Sequence, residues 1–116
     1  MLSTIADLDT LISIILNSNP NATVLLANVI PWYDVDDTAN ISGRISQLSR
    51  AIIDYIPDNA NPNVRFVNVT AGYTPSLMQT DMIHPNAAGD IHIANAFFTA
   101  LDGSGRCGVP GILGTL

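Results

Sequence analysis

Glutamate and lysine are absent from this sequence of 116 residues, in which ten aspartates and four arginines give a net charge of -6. Without a basic stripe, nothing would attract phosphate backbones or an anionic membrane surface, so we expect no nucleic-acid partner. Charged residues are scarce at 12%, whereas hydrophobic residues make up 47%. That balance excludes a disordered chain and predicts a folded protein with an apolar core.

Cysteine is nearly absent as well, because Cys107 stands alone. A single cysteine excludes an internal disulfide and a cysteine zinc cluster. No apolar run approaches the roughly 18 residues that a membrane span needs, so we expect no membrane partner. The length allows one domain, which we place at residues 1–101, followed by a Gly-rich irregular tail at 102–116. Three Asn-x-Ser/Thr sequons, at Asn21, Asn40 and Asn68, favour secretion.

Hydrophobic periodicity predicts an alternation of helices and strands. Apolar residues at 3,4 spacing predict helices, and apolar β-branched runs predict strands. In chain order the predicted elements are a helix from Leu2 to about Leu16, a strand from Thr23 to Ile30, a helix from Ile41 to Ile56, a strand from Val64 to Thr70 and a helix from Asn86 to Leu101. This order is typical of an α/β layered fold with a parallel sheet. Two strands are too few for such a sheet, so we expect a partner to supply more.

The pair Asp81 and His84, between the last predicted strand and the last helix, is the strongest chemical signal. In open α/β sheets, catalytic groups gather on loops beyond the carboxyl ends of the strands. A carboxylate can hold one ring nitrogen of a histidine and stabilise the imidazolium when the other nitrogen takes a proton. The spacing therefore allows a general base with its acid partner but does not by itself select that role. A loop histidine satisfied by a nearby aspartate is the alternative.

The run Asp-x-x-His-Pro-Asn-x-x-Gly from Asp81 to Gly89 resembles the last block of the SGNH (GDSL-type) hydrolases. The similarity extends back through the strand ending at Ile30-Pro31 and covers Leu2 to Leu101, and the acetyl xylan esterases of carbohydrate esterase family three look most similar. The resemblance implies a three-layer flavodoxin-like fold and a serine ester hydrolase without a cofactor. It assigns Asp81 and His84 as acid and base.

The family's Gly-Asp-Ser nucleophile, its second-block glycine and its Gly-x-Asn-Asp block do not occur in this sequence. The resemblance therefore implies that the chain is a truncated, C-terminal portion of such a hydrolase. Its substrate would be a small ester or an acetylated carbohydrate. We expect either a homo-oligomer or a complementing N-terminal half that carries the serine. A non-catalytic α/β fragment acting as an oligomeric or interaction module is the rival hypothesis.

Several other residues are candidates for the site. Trp32 and Tyr33 follow the first strand, where we expect them to line an acyl or sugar pocket, with simple rim packing as the alternative. Ser76 shares the loop of the Asp-His pair and is a candidate substitute nucleophile. His92 is interpreted as a structural or surface histidine. Aspartates at 34, 36 and 37 lack the glycine and glutamate of a calcium loop, so we expect no metal site.

Overall fold

The computed structural model describes residues 2–59 and 61–102, in which helices and strands alternate as predicted. The helices are α1 (Leu2–Ser18), α2 (Ile41–Asn59) and α3 (Ala87–Asp102), and the strands are β1 (Val24–Ala27) and β2 (Val64–Val67). A short 3-10 helix, Pro75–Leu77, lies in the loop between β2 and α3. The predicted α/β class with parallel strands is confirmed. None of the described helices is long and apolar enough to cross a bilayer.

The two strands pair in parallel, with Val24 opposite Val64 and Ala27 opposite Val67. The crossover from β1 to β2 runs through α2, which is the usual way to join parallel neighbours. Both strands are shorter than predicted, because the ladder ends at Ala27 and Val67 rather than at residues 30 and 70. Beyond those points, side-chain amides replace the ladder.

Asn28 is the buried polar residue that takes over where the strands end, with a side chain only 4% exposed. Its Nδ2 donates to Asn68 Oδ1 at 3.1 Å and to Thr70 Oγ1 at 2.9 Å, and its Oδ1 accepts from the Val69 amide at 2.8 Å. A buried amide must be satisfied in this way, since an unpaired one would cost about 1 to 3 kcal/mol. Asn28 therefore joins the two chain segments that leave the carboxyl ends of β1 and β2.

The main cluster of core residues lies where the sheet meets α1 and α2. Ile12, Tyr55 and Val64 are buried there, and Val24 and Leu26 pack against them. The Tyr55 hydroxyl donates to Asp9 Oδ1 at 2.8 Å, which links α2 to α1. Burial, reinforced by that carboxylate, raises the pKa of Tyr55 and keeps its hydroxyl protonated as a donor.

Two details of the predicted helices are wrong. The sequence predicts that the second helix ends at Ile56, because Pro57 and the polar residues after it favour a turn, but α2 continues to Asn59. Asn59 Nδ2 donates to the Tyr55 hydroxyl at 2.7 Å, which holds the last turn although Pro57 has no N–H to give. In the third helix, Ile91 and Phe98 belong to the apolar face that the 3,4 spacing predicts to turn inward, yet they are 62% and 36% exposed. They face solvent because α3 packs on β2 and the 3-10 helix, which cover other parts of its surface.

The predicted domain boundary at residue 101 falls at the end of α3, which extends one residue further to Asp102. The irregular tail was predicted to begin at Asp102, which instead belongs to α3, and the rest of it, 103–116 with Cys107, lies outside the described residues. Its irregularity stays a prediction.

Candidate active site

Asp81 and His84 are in direct contact on the loop between β2 and α3. His84 Nδ1 lies 2.6 Å from Asp81 Oδ2. The other carboxylate oxygen, Oδ1, accepts from the backbone amides of Ile83 at 2.9 Å and His84 at 3.0 Å. Such a turn, in which an aspartate accepts bonds from amides two and three residues ahead, needs only local chain reversal. Met82 makes the reversal with a left-handed φ of 60°. The three-residue spacing thus places the carboxylate and the imidazole together.

Three donors share the Asp81 carboxylate and lower its pKa from the ordinary 3.8 to about 2. The backbone amide of His84 contributes most, followed by its side chain and then the amide of Ile83. Hydrogen bonds favour the charged form of a carboxyl group, so Asp81 stays ionised in weakly acidic solution. An ionised carboxylate can only accept hydrogen bonds, so the His84 proton must sit on Nδ1.

We predict that a carbon-detected NMR titration finds the pKa of Asp81 near 2 in the folded chain. Because the folded pKa is lower than the unfolded one, the stabilisation is fully present above pH 3.8 and is lost as the pH falls through about 2. In His84→Ala the two backbone donors remain, so the Asp81 pKa should rise but stay below 3.8. A carboxyl that titrates at 3.8 in the unchanged chain would contradict the described turn.

The second ring nitrogen of His84, Nε2, has no hydrogen-bond partner among the described residues, and the side chain is 68% exposed. It is therefore free to take a proton from a group approaching from solvent. Two described serines have other hydrogen-bond partners. Ser76 Oγ lies 2.7 Å from Thr74 Oγ1, and Ser49 Oγ accepts from the Val29 amide. Across residues 2–59 and 61–102 the structure brings no serine hydroxyl to His84. A nucleophilic role for Ser76 stays a prediction, and no described contact between Ser76 and His84 supports it.

Asn86 fixes the loop that carries the pair to the start of α3. Its Nδ2 donates to the carbonyl oxygens of Ser76 at 2.9 Å and Met78 at 3.0 Å. Its Oδ1 accepts from the Gly89 amide at 2.9 Å, so the same side chain caps the helix. Two residues before it, the His84 carbonyl accepts from the Gln79 amide at 2.7 Å. The backbone beside the imidazole is therefore held on both sides.

Asn86→Ala should lower the free energy of unfolding by about 2 to 4 kcal/mol, since it removes the helix cap and leaves two carbonyls without donors. Urea denaturation followed by circular dichroism measures this loss. Asn86→Ser is the matched variant, because a hydroxyl can still cap the helix but cannot reach the two carbonyls. It should recover about 1 kcal/mol of the loss. Equal stability of all three proteins would show that these bonds contribute nothing.

Gly89 allows α3 to approach the loop closely. A Cβ at this position would lie 2.3 Å from the Leu77 carbonyl oxygen and 3.0 Å from Pro85 Cβ. Neither atom belongs to a flexible side-chain end, so only glycine fits here. The resemblance in sequence included Asn86 and Gly89 as letters of a motif, but their roles depend on what lies across the loop. Both roles were missed.

Tyr33 connects the loop after β1 to the Asp-His loop. Its backbone amide donates to the Met82 carbonyl at 3.1 Å, and its hydroxyl donates to the Tyr73 carbonyl at 3.1 Å. Trp32 is half-buried, and its indole Nε1 has no partner among the described residues. The structure thus joins Tyr33 to the Asp-His loop, whereas none of the described hydrogen bonds joins Trp32 to it. Tyr33 is engaged in holding the loop, and a substrate-binding role for either residue stays a prediction.

The remaining sequence candidates have structural contacts. His92 packs edge-on against Tyr73, with ring centroids 5.2 Å apart. Asp37 caps α2 by accepting from the amides of Ile41 and Ser42, and the Ser42 hydroxyl, its strongest donor, lowers the pKa of Asp37. Within the described ranges no group of three metal-ligating side chains occurs.

Comparison with known proteins gives one structural likeness. No protein-family model matches the chain, and no curated protein matches its sequence. Among solved structures, it is similar to a family 3 carbohydrate esterase from Clostridium thermocellum. The likeness has a TM-score of 0.62 and 23% sequence identity, and it covers 85% of this chain and 47% of that one. The likeness confirms the predicted α/β fold with parallel strands, and the chain spans about half the length of its neighbour.

Proposed function

We propose that this chain supplies the general base and its acid partner of a serine ester hydrolase. The observation that carries the proposal is the contact between Asp81 Oδ2 and His84 Nδ1 at 2.6 Å, with Nε2 left open to solvent. This is the arrangement a base needs: one nitrogen held by a carboxylate, the other available. Its place on the loop that follows the last strand of a sheet with an esterase-like fold supports the same role.

In the proposed reaction, His84 Nε2 takes the proton of a serine hydroxyl as the serine oxygen attacks the ester carbonyl carbon. The carbonyl oxygen becomes an oxyanion, and Asp81 stabilises the imidazolium. His84 then protonates the leaving alcohol as the carbon–oxygen bond to it breaks, which leaves an acyl-serine. Water repeats the sequence, giving its proton to His84 and its oxygen to the acyl carbon. The released serine takes the proton back, so the enzyme is unchanged.

We propose that the serine and the oxyanion donors come from polypeptide equivalent to the part of the Clostridium esterase without a counterpart here. Support comes from the described serines, none of which contacts His84, and from the 47% of that esterase that this chain matches. A short acyl ester, such as an acetyl ester of a carbohydrate, is the proposed substrate. The neighbour's name as a carbohydrate esterase supports this class.

A fusion tests the proposal. The unmatched part of the Clostridium esterase is joined ahead of Met1 by a flexible Gly-Ser linker, which keeps the two parts at millimolar effective concentration. We expect the fusion to hydrolyse p-nitrophenyl acetate and His84→Ala to abolish that activity. The chain offers a matched control in its second histidine, since His92→Ala removes an imidazole that packs on Tyr73 without touching the pair. The His92 variant should stay active.

An equally active His84→Ala fusion would contradict the proposal. A fusion without activity, whose two parts nevertheless assemble, would favour the rival function, a non-catalytic interaction module. The isolated chain should hydrolyse the ester only at the background rate. An attack by water without oxyanion donors lacks the several kcal/mol of transition-state stabilisation that such donors contribute.

A further inference from the structure

The Asn-x-Ser/Thr sequons are motifs that the proposed function does not use. They begin at Asn21, Asn40 and Asn68, and none has proline in the middle position. An N-linked glycan is bulky and lies on the protein surface, so the folded chain must leave room around the asparagine nitrogen that carries it. The three asparagines differ in this respect.

Asn21 lies exposed in the turn between α1 and β1. The bonds that fix this turn do not use the Asn21 side chain. The backbone amides of Asn21 and Ala22 donate to Asn19, to Oδ1 at 3.1 Å and to the carbonyl at 3.0 Å. Asn63 Nδ2 donates to the Pro20 carbonyl at 2.9 Å. The turn therefore presents Asn21 from a fixed backbone.

The polar side-chain groups of this first sequon are both uncommitted. Neither the Asn21 amide group nor the half-buried Thr23 hydroxyl has a hydrogen-bond partner among residues 2–59 and 61–102. Ala22, between them, adds only a methyl group. The nitrogen that would carry a glycan and the hydroxyl that completes the motif are thus free of competing bonds.

The second sequon is engaged at the start of α2. Asn40 has a left-handed φ of 54°, and its carbonyl accepts from the Arg44 amide at 3.1 Å. Its side chain lies over Gly43, where an added Cβ would be 2.8 Å from Asn40 Nδ2. The sequon hydroxyl, on Ser42, bonds to the Asp37 carboxylate. A sugar on this nitrogen would therefore crowd the first turn of α2.

The third sequon belongs to the amide network at the strand ends. Asn68 is exposed, but its Oδ1 accepts from the Thr70 hydroxyl at 3.0 Å and from the Ala71 amide at 3.2 Å. Asn28 Nδ2 donates to both sequon side chains, Asn68 and Thr70. Asn68 also lines a groove of about 420 Å³ beside α3. A glycan here would have to fit into that groove beside a side chain held by three donors.

Asn21 also lies at the end of the sheet away from the candidate active site. It comes just before β1, whereas the loop with Asp81 and His84 follows β2. Because the strands are parallel, their amino ends share one edge and their carboxyl ends the other. A glycan on Asn21 would therefore leave the candidate site open.

We propose that Asn21 is a site of N-linked glycosylation and that Asn40 and Asn68 stay unmodified. In the transfer, Asn21 Nδ2 attacks the anomeric carbon of a glycosyl diphosphate. The carbon–nitrogen bond forms as the bond from that carbon to the diphosphate oxygen breaks. The diphosphate leaves with the electron pair, and Nδ2 gives up one proton. The donor and its transferase belong to a secretory pathway, so the inference implies that the chain passes through one.

Expression of the full chain in yeast, behind a cleavable secretion leader, tests the inference. We expect a slower band in gel electrophoresis that peptide N-glycosidase removes. This enzyme leaves an aspartate wherever an asparagine carried a glycan, so peptide masses report on all three sequons of the unchanged chain at once. The conversion is expected at Asn21 and not at Asn40 or Asn68.

Thr23→Ala and Thr23→Ser are matched variants, because both keep Asn21 and only the first removes the hydroxyl of the motif. The slower band should be lost in Thr23→Ala and retained in Thr23→Ser. Asn21→Gln should lose the band as well. Because the Asn21 side chain is exposed and without described bonds, this variant should melt within a few degrees of the unglycosylated chain, which separates loss of the site from unfolding.

Two results would overturn the inference. One is an unmodified Asn21, whether the chain is found in the medium or in the secretory membranes of the host. The other is a glycan on Asn40 or Asn68 at the same occupancy as on Asn21, which would mean that the contacts of the folded chain do not distinguish the sequons. Neither result depends on whether the chain takes part in ester hydrolysis.

Discussion

Gly89→Ala is expected to destabilise the chain by about 3 kcal/mol, the upper part of the range for overpacked positions. The added Cβ would lie 2.3 Å from the Leu77 carbonyl oxygen, so either the 3-10 helix or α3 must move. Gly89 donates its amide to the Asn86 cap, and Leu77 precedes Met78, which pairs with Pro85 in an isolated antiparallel bridge. Movement of either segment would therefore loosen the loop that carries His84. Urea denaturation and the melting temperature measure the loss.

Gly72→Ala is the control for the Gly89 variant. Gly72 has a φ of +73°, but the nearest atom to an added Cβ is His92 Cε1 at 3.6 Å, an ordinary contact. Its cost should be about 1 to 2 kcal/mol, from the left-handed backbone alone. If Gly89→Ala proved no more harmful than Gly72→Ala, the close approach of α3 to the loop would be disproved.

Asp81→Asn should reduce kcat/KM of the active fusion by about 10³- to 10⁴-fold, the size of effect known for removal of the triad carboxylate in serine proteases. The asparagine oxygen can still accept from the amides of Ile83 and His84, so the turn survives. Its NH₂ would face Nδ1, which favours the imidazole tautomer with the proton on Nε2. That nitrogen could then no longer take a proton from the serine.

Asp54→Asn is the matched control, because Asp54 forms an exposed ion pair with Arg50 on the surface of α2. It should change kcat/KM by less than about twofold, as exposed ion pairs contribute little. Steady-state kinetics across a pH series measures both variants. An Asp81→Asn fusion that kept most of its activity would mean that the carboxylate does not orient His84 for catalysis.

Local sequence was enough to predict the features that depend on local geometry. The 3,4 spacing placed three helices within a few residues of their bounds, and the spacing of Asp81 and His84 predicted their contact because one turn of backbone makes it. The strand ends failed for a reason outside their own sequence. Asn28 and Asn68 are 40 residues apart, and only their meeting across the sheet ends the ladder.

The supports of the candidate site could not be predicted because they cross between segments. Tyr33 holds Met82 from a loop about fifty residues earlier, and Gly89 matters because of the Leu77 carbonyl. Pro57 shows the opposite case, in which a strong local signal for a helix end was overridden by the Asn59 bond to Tyr55. The source of the nucleophile stays a prediction, because no described contact bears on it.

The buried amide at the strand ends has a consequence for how this protein can vary. Asn28 lies between β1 and the segment that reaches Tyr33, and its partners Asn68 and Thr70 lead to Tyr73, which accepts the Tyr33 hydroxyl. The thermal stability of the fold and the alignment of the Asp81 and His84 side chains thus both depend on Asn28. In any series of substitutions at position 28, we expect the melting temperature of the chain and the turnover of the proposed fusion to decline together, so that neither property can be changed there independently of the other.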